Sequence, residues 1–407
     1  MGFNTSLSGI NAANADLNVT SNNIANVNTT GFKESRAEFA DIFSSTSYGL
    51  SRLAVGSGVK VSNIAQQFSQ GNIEPTGRSL DMAIDGEGFF TLSNNGTTAY
   101  TRSGNFQTDS QGYVVTPDGA KLQVFAPNAS GTGFDVGRLS DLQLLTTDSA
   151  PKSTSVVNMM VTLPGNASAP TVTPFDPNDT NSYNYSSGGA TVYDSLGVGH
   201  TQTSYYVKTA NANEWQVYNY VDGTQVGDPT TLQFSDSGTL TSPSPATIAL
   251  DPFTPSTGAG VLNMSLDLTG STQYGESFAL RDLRQDGYAS GKLNEISIDT
   301  SGVVFARYSN GADKTLGQVA LTKFVNPQGL QPSGSNMWVE TYASGSPRMG
   351  APDTSDFGAV QSGALESSTV DLTEQLVNMI TAQRNFQANA QMIQTQDQVT
   401  QTIINIR

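Results

Sequence analysis

Asp81, Asp85 and Glu87 place three carboxylates within seven positions, raw material for acid–base catalysis if their environments separated their pKa values. They border Gly86 and Gly88 and lead into Phe89-Phe90-Thr91-Leu92, however, so the sequence places them in turns as solvated acids. Asp236-Ser237-Gly238 matches half of an aspartic-protease pair, whose chemistry needs two aspartates sharing a proton, and no second copy stands out. Ser149 and Lys152 have Ser-x-x-Lys spacing, but Pro151 spoils the helix that would bring the two together. Asp176, Asn178 and Thr180 open like a calcium loop; Asn181 stands where such a loop needs Gly, and Ser187 where it needs the bidentate Glu. Gly86-Glu87-Gly88 is too short to cradle a phosphate. His200 is the only histidine, which leaves little material for a metal site or a triad. The expectation is a protein that is not an enzyme, with no catalytic residue, no cofactor, no metal and no small-molecule substrate.

The elements that carry these residues are better specified than any chemistry. Near the start, Phe3, Ile10, Leu17 and Ile24 recur every seven positions, with Leu7 in the intermediate slot. Near the end, Leu372, Met379, Phe386 and Ile393 do the same, with Leu376, Ala390 and Ile404 in the companion slot. A period of seven keeps one seam turned toward a partner helix, which predicts coiled-coil packing between the two ends or between copies of the chain. The other faces are nearly uncharged. Asp16 is the sole charged residue between Met1 and Phe32, and the last stretch carries Gln375, Gln383, Gln387, Gln391 and Gln394. Neutral amides suit a surface that packs on further subunits, because they form hydrogen bonds without the cost of desolvating an ion. The chain reads as a subunit that polymerises.

Composition narrows the class further. With 407 residues the chain is long enough for more than one domain. A net charge of −16 argues against nucleic acid or an anionic membrane as partner. Cysteine is absent, so stability has to come from packing and subunit contacts rather than disulfides. No run of eighteen apolar residues occurs, and no basic stretch followed by an apolar core opens the chain, so neither a spanning helix nor a cleaved signal peptide is expected.

Three blocks point to a family. Asn22, Asn23, Ile24, Ala25 and Asn26, running on to Thr30, Gly31, Phe32 and Lys33, resemble the signature of the bacterial flagellar axial proteins, the rod and hook subunits. Gly71-Asn72-Ile73-Glu74-Pro75 with Leu80-Asp81-Met82-Ala83-Ile84-Asp85-Gly86 is similar to a second block of that family. Val370-Asp371-Leu372-Thr373 and Ala382-Gln383-Arg384-Asn385-Phe386 resemble its C-terminal block. Length and the central Thr191-Val192-Tyr193-Asp194-Ser195-Leu196-Gly197 place the chain with the hook-type members, a distal rod protein with a long insertion being the alternative. The resemblance implies a homopolymer forming a curved, flexible tube that acts as a universal joint between rod and filament. It also implies export through the flagellar type III channel and extracellular placement on the basal body. The partners it implies are the distal rod protein, the hook cap, the hook-length control protein and the hook-filament junction protein.

Between the ends the apolar period falls to two, and turns such as Asn95-Gly96, Asp118-Gly119 and Asn310-Gly311 separate short β segments. The expected architecture is α+β and multidomain: terminal heptad helices in a coiled coil, with mainly β middle domains nested one inside the other. The expected divisions are 1–32 with 366–407 for the coiled coil, and 33–70 with 356–365 for an extended connector. An inner β domain would take 71–149 with 284–355, and an inserted outer β domain 150–283.

Overall fold

The computed structural model describes residues 2–42, 56–128, 133–144, 148–354 and 356–405; Phe43 and Gly49, which the sequence assigns to the connector, lie outside the described residues. Helix α1 is Gly2–Ala25 and helix α2 is Leu372–Asn405, and the described elements between them are strands plus one turn of 3-10 helix at Pro327–Gly329. The chain divides into two compact units, one of Met1–Thr146, Glu295–Ala306 and Lys314–Arg407, the other of Thr147–Asn294 and Arg307–Asp313.

In the first unit the hairpin foreseen at Asn95-Gly96 joins strand Phe89–Asn94 to strand Thr97–Thr101. Asn95 has φ 50° and Gly96 φ 85°, the left-handed pair that matches the twist of the flanking strands. The strand Phe89–Asn94 is buried on both faces, which is why its apolar residues run consecutively instead of alternating. Phe90 and Leu92 enter a core with Met82, Ile84, Phe106 and Leu122, while Phe89 faces Tyr100, Phe324 and Trp338 on the other side.

The described residues of 33–70, the span expected as an extended connector, carry an antiparallel ladder. Strand β1 (Ser35–Asp41) pairs antiparallel with strand β2 (Val59–Gln66), from Ser35 opposite Gln66 to Asp41 opposite Val59. Backbone donors laid along a helix need partners, and each strand supplies the other's. The hairpin lies along α1, where the Val59 amide donates to Ser8 Oγ at 3.2 Å.

The second unit is entirely β among its described residues. Strands Gly199–Lys208 and Glu214–Val221 pair antiparallel and alternate strictly, sending Tyr206, Trp215, Val217 and Val221 into a core with Val157, Met159, Val161 and Leu163. Trp215 Nε1 donates to Gln273 Oε1 at 3.2 Å, so the largest buried ring is satisfied.

Candidate functional site

The two ends of the chain meet as an antiparallel helix pair. Asn23 Nδ2 donates to Gln375 Oε1 at 3.1 Å, and at the other end a β-carbon on Gly9 would stand 2.4 Å from Asn389 Oδ1. From Asn23 back to Gly9 is fourteen residues (23 − 9), and from Gln375 on to Asn389 is also fourteen (389 − 375), two heptads on each helix. The pair therefore holds its register over about 20 Å of helix. Gly9 lowers helix propensity, and its lack of a side chain is what admits Asn389.

Apart from Val19, the residues buried along these helices are small or polar: Ala13, Thr20 and Asn23 on α1, and Gln375 and Ala382 on α2. Gly9, Ala13, Asp16, Thr20 and Asn23 follow 4-3-4-3 spacing, a heptad of their own one position behind Ile10, Leu17 and Ile24. One residue is about 100° around a helix, so α1 carries two stripes on adjacent faces. Burial pushes up the carboxyl of Asp16, the single acid of the small-residue stripe.

The predicted seam is the less covered stripe. Phe3, Leu7, Leu372, Leu376, Phe386 and Ile404 are exposed. Ile10, Leu17, Ile24, Met379, Ala390 and Ile393 are half-buried. The pairing within one chain thus engages small and amide side chains, and an apolar stripe is left on its flank. Gly9, Ala13, Gln375, Ala382 and Asn389 were legible only as a heptad of weak residues, which a search for apolar periodicity passes over.

The signature residues form the mount of this pair. Asn23 is buried; its Nδ2 donates to the Ser35 carbonyl at 2.8 Å and its Oδ1 accepts from the Ser35 amide at 3.0 Å, fixing β1 to α1. Asn22 and Ala25 are exposed and Ile24 half-buried, while the Asn22 carbonyl accepts from Asn26 Nδ2 at 2.9 Å as the helix ends. The Thr30 carbonyl accepts from Asn336 Nδ2 at 2.9 Å. Gly31 has φ 67°, and a β-carbon there would lie 2.6 Å from the Ser103 backbone nitrogen, so both conformation and space demand glycine. Phe32 is buried beside it.

Lys33 closes the mount. Its Nζ lies 2.6 Å from Glu366 Oε1, with both side chains fully buried, and Arg102 Nη1 reaches Glu366 Oε2 at 3.4 Å. Glu366 Oε1 also accepts from the Gly71 amide at 2.8 Å, and Lys33 Nζ donates to the Ser69 carbonyl at 2.5 Å. Burial lowers the Lys33 pKa from its ordinary value, with Glu366 pulling the other way. One buried carboxylate thus ties three chain segments immediately before α2. At the start of α2, Asp371 Oδ1 accepts from the amides of Thr373 at 2.7 Å and Glu374 at 3.0 Å, a helix cap. Arg102 and Glu366 escaped sequence reading, because neither sits in an apolar repeat.

The carboxylates weighed for catalysis do not converge. Asp81 accepts from Thr76 Oγ1 at 2.7 Å, Asp85 accepts from Gln70 Nε2 at 3.0 Å, and Glu87 pairs with Lys323. Among the described residues, no group of three His, Asp or Glu side chains is arranged to hold a metal ion.

Comparison with known proteins decides the family. Family models match in chain order: flagella basal body rod protein over 3–33, flagellar hook protein FlgE/F/G D1 domain over 83–174, flagellar basal body protein FlaE D2 domain over 162–288, and flagellar basal body rod FlgEFG protein C-terminal over 361–406. The flagellar hook protein FlgE of Salmonella typhimurium is 38% identical over 415 residues, with each chain covered completely. The chain belongs to the flagellar hook protein family. FlgE of Escherichia coli is 39% identical over 421 residues, again with both chains fully covered, and that of Borreliella burgdorferi is 32% identical over 98% of this chain. The crystal structure of Helicobacter pylori flagellar hook protein FlgE2 shares the fold, with TM-score 0.54 at 18% identity, over 72% of this chain and all of that one. Hook-family membership makes this a structural protein of the flagellum that polymerises with copies of itself. The relatives matched over the full length are named hook proteins, which disfavours the rod alternative.

Proposed function

We propose that this chain is the structural subunit of the flagellar hook, assembling into a curved, flexible tube that carries motor torque from rod to filament. The observation that carries the reading is the helix pair built from opposite ends of a chain matched end to end by hook proteins, with an apolar stripe left uncovered. In this proposal Phe3, Leu7, Ile10, Leu17 and Ile24, with Leu372, Leu376, Met379, Phe386, Ala390, Ile393 and Ile404, form the seam of a coiled coil shared between neighbouring copies. The units between the helices form the outer wall: 71–149 with 284–355 an inner β domain, and 150–283 an outer one. The subunit leaves the cell by the flagellar export channel without a cleaved signal peptide. It meets the distal rod protein, the hook cap, the hook-length control protein and the hook-filament junction protein, and it catalyses no reaction. Electron microscopy of the polymer grown from purified chain tests the reading. Short curved tubes are expected; straight rigid rods would favour the distal-rod alternative, and no polymer under any condition would overturn self-assembly by this chain alone.

A further inference from the structure

His200 is 5% exposed and lies between two carboxylates. Its Nδ1 is 2.6 Å from Asp222 Oδ2, and its Nε2 is 3.2 Å from Asp194 Oδ2. A neutral imidazole has one N–H and one lone pair, so either neutral tautomer turns a lone pair toward a carboxylate; only the imidazolium satisfies both contacts. When one proton is left, the shorter contact to Asp222 retains it, and the loss falls on Asp194. That carboxylate is fully buried; its Oδ1 accepts from the amides of Leu196 at 2.8 Å and Val198 at 2.9 Å, and the Oδ2 that faces His200 also accepts from Thr257 Oγ1 at 2.7 Å.

Thr257 stands on an exposed loop, 254–261, closed at its base by the Phe253–Leu262 bridge. The loop's other tie to the turn at Asp194 is the Gly260 amide donating to Ser195 Oγ at 2.9 Å. We propose that Asp194, His200 and Asp222 form a proton-operated clip that holds the 254–261 loop closed when His200 is protonated and frees it when His200 is neutral.

The charged groups facing the ring are Asp194, on the turn after Ala190–Tyr193, and Asp222, on the turn after Glu214–Val221. The loop's own stem presents Phe253, whose ring centroid is 5.8 Å from the imidazole and which does not titrate. Burial works to lower the His200 pKa, and the two carboxylates more than reverse it, so the group sits above its ordinary value. The clip is therefore closed below that raised value and opens as pH rises through it. Opening would release the strap beside the exposed apolar side chains Leu196, Val198 and Val261.

The full chain has one histidine, so labelling with 13C,15N-histidine gives a single imidazole signal to titrate by NMR. Hydrogen-exchange protection of 254–262, corrected for the intrinsic pH dependence of exchange, is measured across the same range. The His200 midpoint is expected above ~6.5, and protection of the loop should fall roughly tenfold through that midpoint, as for one lost hydrogen bond to a charged group. Asp222→Asn, at a half-exposed position, should move both midpoints down together. Thr257→Val should leave the loop poorly protected at every pH while His200 still titrates. Unchanged loop protection across the His200 midpoint would overturn the proposal, as would an Asp222→Asn variant that shifts the imidazole midpoint and not the loop's.

Discussion

At the scale of single residues, buried charge carries the largest consequences. Lys33, Arg102 and Glu366 form a cluster removed from water, so its members depend on one another. Replacing Glu366 by Gln leaves two buried cations facing an amide and should cost about 3–5 kcal/mol, read as a fall in the urea midpoint of the first unit. The second unit has a pH-dependent counterpart in Asp286. Burial raises its carboxyl pKa, but the donors around it (Ser155 Oγ and N, Val156 N and Lys152 Nζ) outweigh burial and hold it below the usual carboxylate range. A depressed folded-state pKa gives stability that is complete above the unfolded value of about 3.9 and is lost as pH falls through the folded one. Asp286→Asn should therefore lower thermal stability near pH 7 by about 1–3 kcal/mol, and the gap from wild type should close as the pH is taken well below 4. A gap constant with pH would show that the carboxylate's charge is not what matters there.

At the scale of elements, the terminal helices are poor helices on their own merits. Asn, Ser, Thr and Gly fill α1, and such a sequence depends on packing for its helicity. The partner available within one chain offers Gln375, Ala382 and Asn389, which bury little apolar area. Brief proteolysis of dilute monomer should accordingly remove roughly the first 30 and last 40 residues and spare the β units, whereas the polymer should resist. Mass spectrometry of the surviving fragment decides this, and intact ends in dilute monomer would mean the pair is stable alone. The uncovered stripe gives a second expectation. Leu17→Asp or Ile393→Asp should abolish polymer in sedimentation assays and leave the β units folded by circular dichroism. A carboxylate buried at each subunit contact costs several kcal/mol, repeated along the tube.

At the scale of the whole molecule, the second unit is entered at Thr147 and its main segment is left at Asn294, while both helices and the Lys33 cluster belong to the first. A unit inserted this way can be removed without cutting its parent's core. Replacing 150–283 by a short Gly/Ser linker should leave assembly intact and alter the curvature or bending stiffness of the tube, measured on micrographs. Folded monomer with no polymer would instead make the outer domain part of the assembly interface.

The sequence by itself determined the terminal helices, the β character between them and the family, because each is written in local periodicity or contiguous motifs. Phe3 to Ile24 and Leu372 to Ile393 show a seven-residue beat in any context, and Asn95-Gly96 specifies its hairpin through backbone conformation alone. Tertiary structure decided which stripe of each helix the chain covers for itself. Gly9 and Asn389 lie 380 residues apart (389 − 9), and their fit depends on a missing side chain that no apolar pattern records. It also decided that Lys33 is a buried ion rather than a surface one. A lysine's cost or worth is set by what stands opposite it, and Glu366, 333 positions away, is brought there only by the fold.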